Sequence, residues 1–233
     1  MASISHAKKV VFLGDSLTEG VDGASYLRAL GALLASDERL PPIDLINAGQ
    51  GGDTVLNLAR RVSRDVVPHA PDSVVVFIGV NDCRTWYVRR SPPSLATVRS
   101  RYYFLRRKGV WRAIIPQRFE HGLRALVDDL RAQTQARIAL CTPATASESR
   151  DPRAERMLDQ YADAVRQVAR ERDCALIDVR AAMLEAIGQR RATATSGLRL
   201  TIDGVHLSDG GAQLVAGVFH DWLLTQFPSP DSV

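Results

Sequence analysis

Four short blocks of this chain hold the residue types that acyl transfer needs. Gly14-Asp15-Ser16-Leu17-Thr18 follows the apolar run Val10–Leu13, which places a hydroxyl at the carboxyl end of a strand-like segment. Asp203-Gly204-Val205-His206 supplies an imidazole with a carboxylate three residues before it. Serine, histidine and aspartate are the three roles of nucleophilic catalysis, and geometry rather than chain order defines them. Between them, Gly51-Gly52-Asp53-Thr54 and Gly79-Val80-Asn81-Asp82 each follow another strand-like run.

The chemistry needs these types. A serine hydroxyl is a poor nucleophile at neutral pH until a positioned base takes its proton. Histidine titrates near neutrality, so it can accept that proton and return it to the leaving group. The tetrahedral adduct carries negative charge on the former carbonyl oxygen, and fixed neutral donors stabilise it. Asn81 brings a donor without a charge, and a glycine at 52 lets the backbone come close. Taken singly, each residue has a plainer reading: Ser16 as a helix cap, Asp15 as a turn stabiliser, Asp53 and Asp82 as caps or loop ties. His6, His69, His121 and His220 read as surface histidines. Gly14 to Gly20 lacks the Gly-Lys-Ser/Thr ending of a phosphate loop, and no G-x-S-x-G elbow occurs.

Short runs suited to buried strands lie at Val10–Leu13, Ile43–Asn47, Val74–Ile78, Arg137–Cys141 and Ala175–Asp178. Helical spacing fills the gaps. Val55, Leu58, Val62 and Val66 predict one helix, with Asp53 or Thr54 as its N-cap and Pro68 beyond its end. Further helices are predicted around Leu123–Leu130, around Met157–Val168, and after Ser208. Alternation of strand and helix predicts a parallel sheet with helices on both faces. Such sheets bind ligands outside the carboxyl ends of their strands, which gathers the three glycine-containing turns at one edge.

Composition sets bounds. With 233 residues, the chain is long enough to bury a core without disulfides or a structural metal. Cys83, Cys141 and Cys174 are odd in number and unpaired by spacing, so they read as small buried hydrophobes. No window approaches eighteen apolar residues, and Met1 to Lys9 hold no signal-like run, which predicts a cytoplasmic protein. The net charge is +4, yet the ten basic and zero acidic residues from Cys83 to Arg118 leave the rest of the chain at −6.

The four blocks, in this order, resemble those of the GDSL, or SGNH, hydrolase family, over residues 10 to about 210. The resemblance implies a three-layer α/β/α sandwich with a central, mostly parallel, flavodoxin-like sheet in one domain. It implies ester hydrolysis through an acyl-serine, with no metal and no cofactor. Ser16 would be the nucleophile, His206 its base and Asp203 the group that orients the imidazole. The N–H groups of Ser16 and Gly52 and the side-chain amide of Asn81 would form the oxyanion hole. The family spans carbohydrate deacetylases, lysophospholipases, thioesterases and arylesterases, and fold does not choose among them. An acyltransferase with the same triad, or an inactive module that binds an anionic ligand, are the alternatives.

The segment of about 83–118 departs from the rhythm. It sets Trp86, Tyr87, Tyr102, Tyr103, Phe104 and Trp111 among arginines, with Pro92-Pro93 inside. Long connections of this kind are often lids or binding loops. A lid here would follow Asn81 directly, and its arginines would suit an anionic or amphiphilic ester. Arg84, Trp86 and Asp15 are the candidates for substrate contact. Contact with a membrane surface also fits arginine interleaved with aromatics, whereas a nucleic-acid partner is not expected.

Overall fold

Branched and aromatic residues that alternate between two apolar faces build the centre of the fold. In a computed structural model, which describes residues 6–145, 152–192 and 199–228, five strands form one sheet. They are β1 (Lys8–Gly14), β2 (Ile43–Gly49), β3 (Ser73–Phe77), β4 (Arg137–Cys141) and β5 (Ala175–Ile177). All pairings are parallel and the order is β2-β1-β3-β4-β5. The predicted strands therefore stand, with ends moved by a residue or two.

The helices are α1 (Ser16–Glu19), α2 (Tyr26–Ala35), α3 (Val55–Ala59), α4 (Val62–Asp65) and α5 (Val80–Arg90). They continue with α6 (Leu95–Lys108), α7 (Pro116–Gln133), α8 (Pro152–Glu171), α9 (Val179–Ala192) and α10 (Asp209–Gln226). Val11 and Leu13 of β1 point into a core shared with α3, α7 and α8. Val10 and Phe12 point the other way, into a core with α2 and α10. There Phe12, Tyr26, Phe77 and Phe219 meet mostly edge to face, with ring centroids 5.0–6.0 Å apart. Both faces of the sheet are covered, which explains why the strands read as near-continuous apolar runs.

Two expectations are corrected. The helix over 55–66 is broken into α3 and α4, because Arg61 turns inward and is only 5% exposed. Its guanidinium donates to the Gly14 carbonyl at 2.8 Å and to the carboxylates of Asp53 (2.8 Å) and Asp65 (2.7 Å). The segment from 83 to 118 is mostly helical rather than a loop. Its first turns continue α5, Pro92-Pro93 separates α5 from α6, and a Ser94/Thr97 capping box starts α6. Arginines and exposed aromatics hide the helical period there.

Candidate active site

The strand order fixes where a site belongs. In this doubly wound order the connections leave β1 and β3 in opposite directions, so a crevice opens between their carboxyl ends. Register aligns Gly14 with both Gly49 and Phe77, so the turns after β1, β2 and β3 end at one level. Ser16, Gly51-Gly52 and Asn81 follow those three strands. All three line a cleft of ≈ 530 Å³ together with His206.

Ser16 opens α1. The Asp15 carboxylate accepts from the Leu17 N–H at 3.0 Å, and Gly20 ends the helix in the left-handed region at φ 73°. The loop before α10 brings His206 to the serine, 190 residues away in sequence: Nε2 lies 3.2 Å from Ser16 Oγ. Nδ1 lies 2.7 Å from Asp203 Oδ2, while Asp203 Oδ1 accepts from the Val205 and His206 N–H groups at 2.9 and 2.8 Å. Burial raises the pKa of Asp203, but these hydrogen bonds outweigh it and leave the carboxyl below its usual range. The ionised carboxylate accepts, so Nδ1 carries the proton and Nε2 is left to accept from the serine.

Gly52 adopts φ 75°, a conformation that favours glycine. Space adds a second reason, because a Cβ at this position would sit 2.2 Å from the Tyr103 hydroxyl. Glu19 holds the preceding residue, its Oε2 accepting from the Gly51 N–H at 2.8 Å. Asn81 lies in the first turn of α5 and donates through Nδ2 to Asp15 Oδ2 at 3.2 Å. That bond fixes which end of the amide is the donor and leaves its second N–H for the cleft.

Beneath the site are buried carboxyls. Burial pushes Asp15 up to about 7 and Asp82 up to about 8. Asp82 caps α3 by accepting from the Val55 N–H at 3.1 Å. Asp53 is held between Arg61 and Lys108, each 2.8 Å away.

The substrate-contact candidates separate. Arg84 lines the cleft, one helical turn beyond Asn81. Trp86 does not: it packs on the core beside Tyr161, ring centroids 6.3 Å apart, with Arg90 over its face. The odd spacing from Asn81 turns it to the inner side of α5. Asp15 is 2% exposed and spends both oxygens on Leu17 and Asn81, so it holds the turn rather than facing a ligand. His220 is not a surface residue; its side chain is 12% exposed and Nε2 lies 2.9 Å from Asp37. Sequence reading missed Glu19, Asp22, Arg99 and Tyr103, all at or against the cleft. Their contacts span tens of residues and carry no local motif. Among the described residues no group of histidine, cysteine and carboxylate side chains is arranged to hold a metal ion.

An open α/β sheet with a serine–imidazole–carboxylate line at its switch point belongs to the class of hydrolases that work by acyl transfer. Residues 12–214 match the GDSL-like Lipase/Acylhydrolase family, and the chain belongs to that family. It is a carboxylic ester hydrolase. The chain is 28% identical over 228 residues to an acetylxylan esterase of Geobacillus stearothermophilus, covering 93% of this chain and 94% of that one. A crystal structure of that species' acetylxylan esterase Axe2 superimposes with a TM-score of 0.72 at 27% identity, over 94% and 95% of the two chains. Solved forms of Axe2 include catalytic mutants in which a serine or an aspartate is replaced by alanine. A lipase/acylhydrolase from Enterococcus faecalis shares the fold, with a TM-score of 0.69 at 23% identity over 95% and 98%.

Proposed function

We propose that this protein removes acetyl groups from carbohydrate esters, with Ser16 as nucleophile, His206 as general base and acid, and Asp203 as the group that orients the imidazole. The observation that carries the reading is the unbroken hydrogen-bond line from Ser16 through His206 to Asp203, opening into the ≈ 530 Å³ cleft. Likeness to acetylxylan esterases over nearly the full length of both chains supports acetyl as the acyl group and a sugar as the alcohol.

In this mechanism Ser16 Oγ attacks the ester carbonyl as its proton passes to His206 Nε2. The negative charge that appears on the carbonyl oxygen is met by the N–H groups of Ser16 and Gly52 and by Asn81 Nδ2. Collapse of the adduct expels the sugar oxygen, which takes the proton from His206 and leaves acetyl-Ser16. Water then attacks with His206 as base, releasing acetate and restoring the serine. Donors in fixed positions act here without reorganising, and each is worth roughly 10²–10³ in kcat.

The test is treatment with a fluorophosphonate, read by intact mass, together with acetate release from acetylated xylo-oligosaccharides. The expected result is one adduct on wild type, none on Ser16→Ala, and turnover that falls by at least about three orders of magnitude in that variant. An adduct that persists in Ser16→Ala, or acetate release at the wild-type rate, refutes the assignment.

A further inference from the structure

The basic segment does two different things with its arginines. Arg89 donates to the Trp111 carbonyl, Arg101 to the Val88 carbonyl and Arg118 to the Arg112 carbonyl. Arg90 lies over Trp86 and Arg106 over Tyr102. These five are used to hold α5, α6 and the loop that leads to α7 in place. Arg84 and Arg99 line the catalytic cleft, and neither has a hydrogen-bond or ion-pair partner among the described residues.

Their placement is built into helices. Arg84 lies one turn from Asn81 on α5, and Arg99 lies one turn from Tyr103 on α6. No acidic residue occurs from Cys83 to Arg118, so nothing on this wall neutralises them. Among the described residues the one carboxylate on the cleft lining is Asp22, which lies beside the imidazole, 3.9 Å from His206 Nε2. The cleft therefore carries two cations on its helical wall and one carboxylate beside the imidazole. A ligand that spans it is oriented by charge.

We propose that Arg84 and Arg99 form an anion subsite, and that the preferred substrate is an acetylated sugar that also carries a carboxylate or phosphate group. This rests on the deacetylase reading and narrows its alcohol component. The acetyl carbonyl sits at Ser16 while the anion is held on the α5–α6 wall, where planar guanidinium groups match either oxyanion with paired hydrogen bonds. A neutral xylan ester offers only hydroxyl and ether oxygens there, which accept from a guanidinium more weakly than an oxyanion does.

The experiment compares kcat/KM for acetylated glucuronic acid, acetylated glucose 6-phosphate and acetylated glucose, with 4-nitrophenyl acetate as a neutral reference. Wild type is expected to favour at least one anionic sugar over the neutral one by roughly ten- to a hundred-fold, the range of charge-assisted hydrogen bonds. Which of the two is favoured tells carboxylate from phosphate. In the double variant Arg84→Gln/Arg99→Gln that ratio collapses towards one. Arg107→Gln removes the same charge from an exposed position on α6 outside the cleft, and it keeps the wild-type ratio.

A wild-type preference for the neutral sugar, or a ratio unchanged in the double variant, overturns the subsite. Turnover of 4-nitrophenyl acetate under those conditions means that the esterase stands and only the subsite falls. If no ester is turned over, calorimetric titration with glucuronate and with inorganic phosphate decides independently. Binding to wild type that is lost in the double variant supports the subsite; equal binding, or none to either protein, overturns it.

Discussion

The floor and the wall of the cleft are built in different ways. The floor consists of turns at strand ends, where Asp15, Ser16 and Asn81 are nearly or fully buried. Backbone packing holds it: a Cβ on Gly49 would lie 2.1 Å from the Glu19 nitrogen. The wall consists of α5 beyond its first turn and of α6, whose outer face exposes Leu95, Val98 and Tyr102. Three contacts tie α6 to the residues beneath it: the Tyr103 hydroxyl to the Gly51 carbonyl (3.3 Å), Asn57 to the Lys108 carbonyl (2.9 Å) and Lys108 to Asp53. Few residues of the floor can change without moving the nucleophile. Most of the wall can change and leave the sheet untouched. The proposed bond-breaking chemistry sits on the first, and the proposed selection among esters on the second.

The largest separation of the two comes from Asn81→Ala. It deletes the proposed oxyanion donor from the floor and is expected to lower kcat by roughly 10²–10³ with little effect on KM. Steady-state kinetics with circular dichroism on the same sample checks it. Near-normal turnover in a well-folded variant removes Asn81 from the mechanism. The floor also resists a single methyl group. Gly49→Ala forces the new Cβ against the backbone of Thr18 and Glu19, so the end of α1 must shift. A loss of about 1–3 kcal/mol in urea unfolding is expected, accompanied by lower activity. Gly31→Ala is the matched control: it sits within α2 with open space around it and should gain about 0.5–1 kcal/mol. Equal effects at the two glycines would dissolve the distinction.

The floor was far more legible than the wall. Each floor block follows an apolar run and contains glycine or a short polar side chain, so the local sequence announces both the strand and its turn. The pairing of His206 with Ser16 was legible only because four blocks occur together, since 190 residues separate the two. Arg61 falls inside the helix predicted over 55–66, and nothing in the sequence shows that its guanidinium reaches back to Gly14. Likewise Trp86 and Arg84 were equivalent as neighbours of Asn81 until helix phase placed one in the core and the other on the cleft. On the wall, arginines that stack or bond to carbonyls look identical in sequence to those left free. Long-range partners decide which is which.

Acid–base behaviour separates the regions next. Asp15 and Asp82, both in the floor, have folded pKa values raised by burial to about 7 and about 8. A carboxyl raised in the folded state adds stability that is full below its unfolded pKa and is lost as pH climbs through the folded value. Between about pH 4 and pH 7 each such group therefore costs up to about 1.4 kcal/mol of stability per pH unit. Asp203 acts in the opposite direction, since its lowered pKa withdraws stability only as pH falls into the acid range. Asp82→Asn removes one raised group and should flatten the slope between pH 4.5 and 7, whatever it does to absolute stability. The readout is the urea midpoint measured along that range. An unchanged slope would mean that Asp82 is not held protonated. Arg84→Gln removes no buried carboxyl and should leave the slope alone.

The smallest effect tests the seam itself. Tyr103 is where α6 meets the glycine loop: its hydroxyl donates to Gly51, and its ring fills the space a side chain at Gly52 would need. Tyr103→Phe keeps the ring and removes only the hydrogen bond. The tyrosine is 39% exposed and the bond is long, so the loss should be about 0.5 kcal/mol, with kcat/KM changed less than about threefold. Tyr103→Ala also removes the ring that packs against Gly52, and it should raise KM more than it lowers kcat, because the wall loses contact area while the donors keep their places. If Tyr103→Phe alone lowers kcat by tenfold or more, the hydroxyl is holding the oxyanion loop in its working position. The boundary between floor and wall then moves outward to include α6.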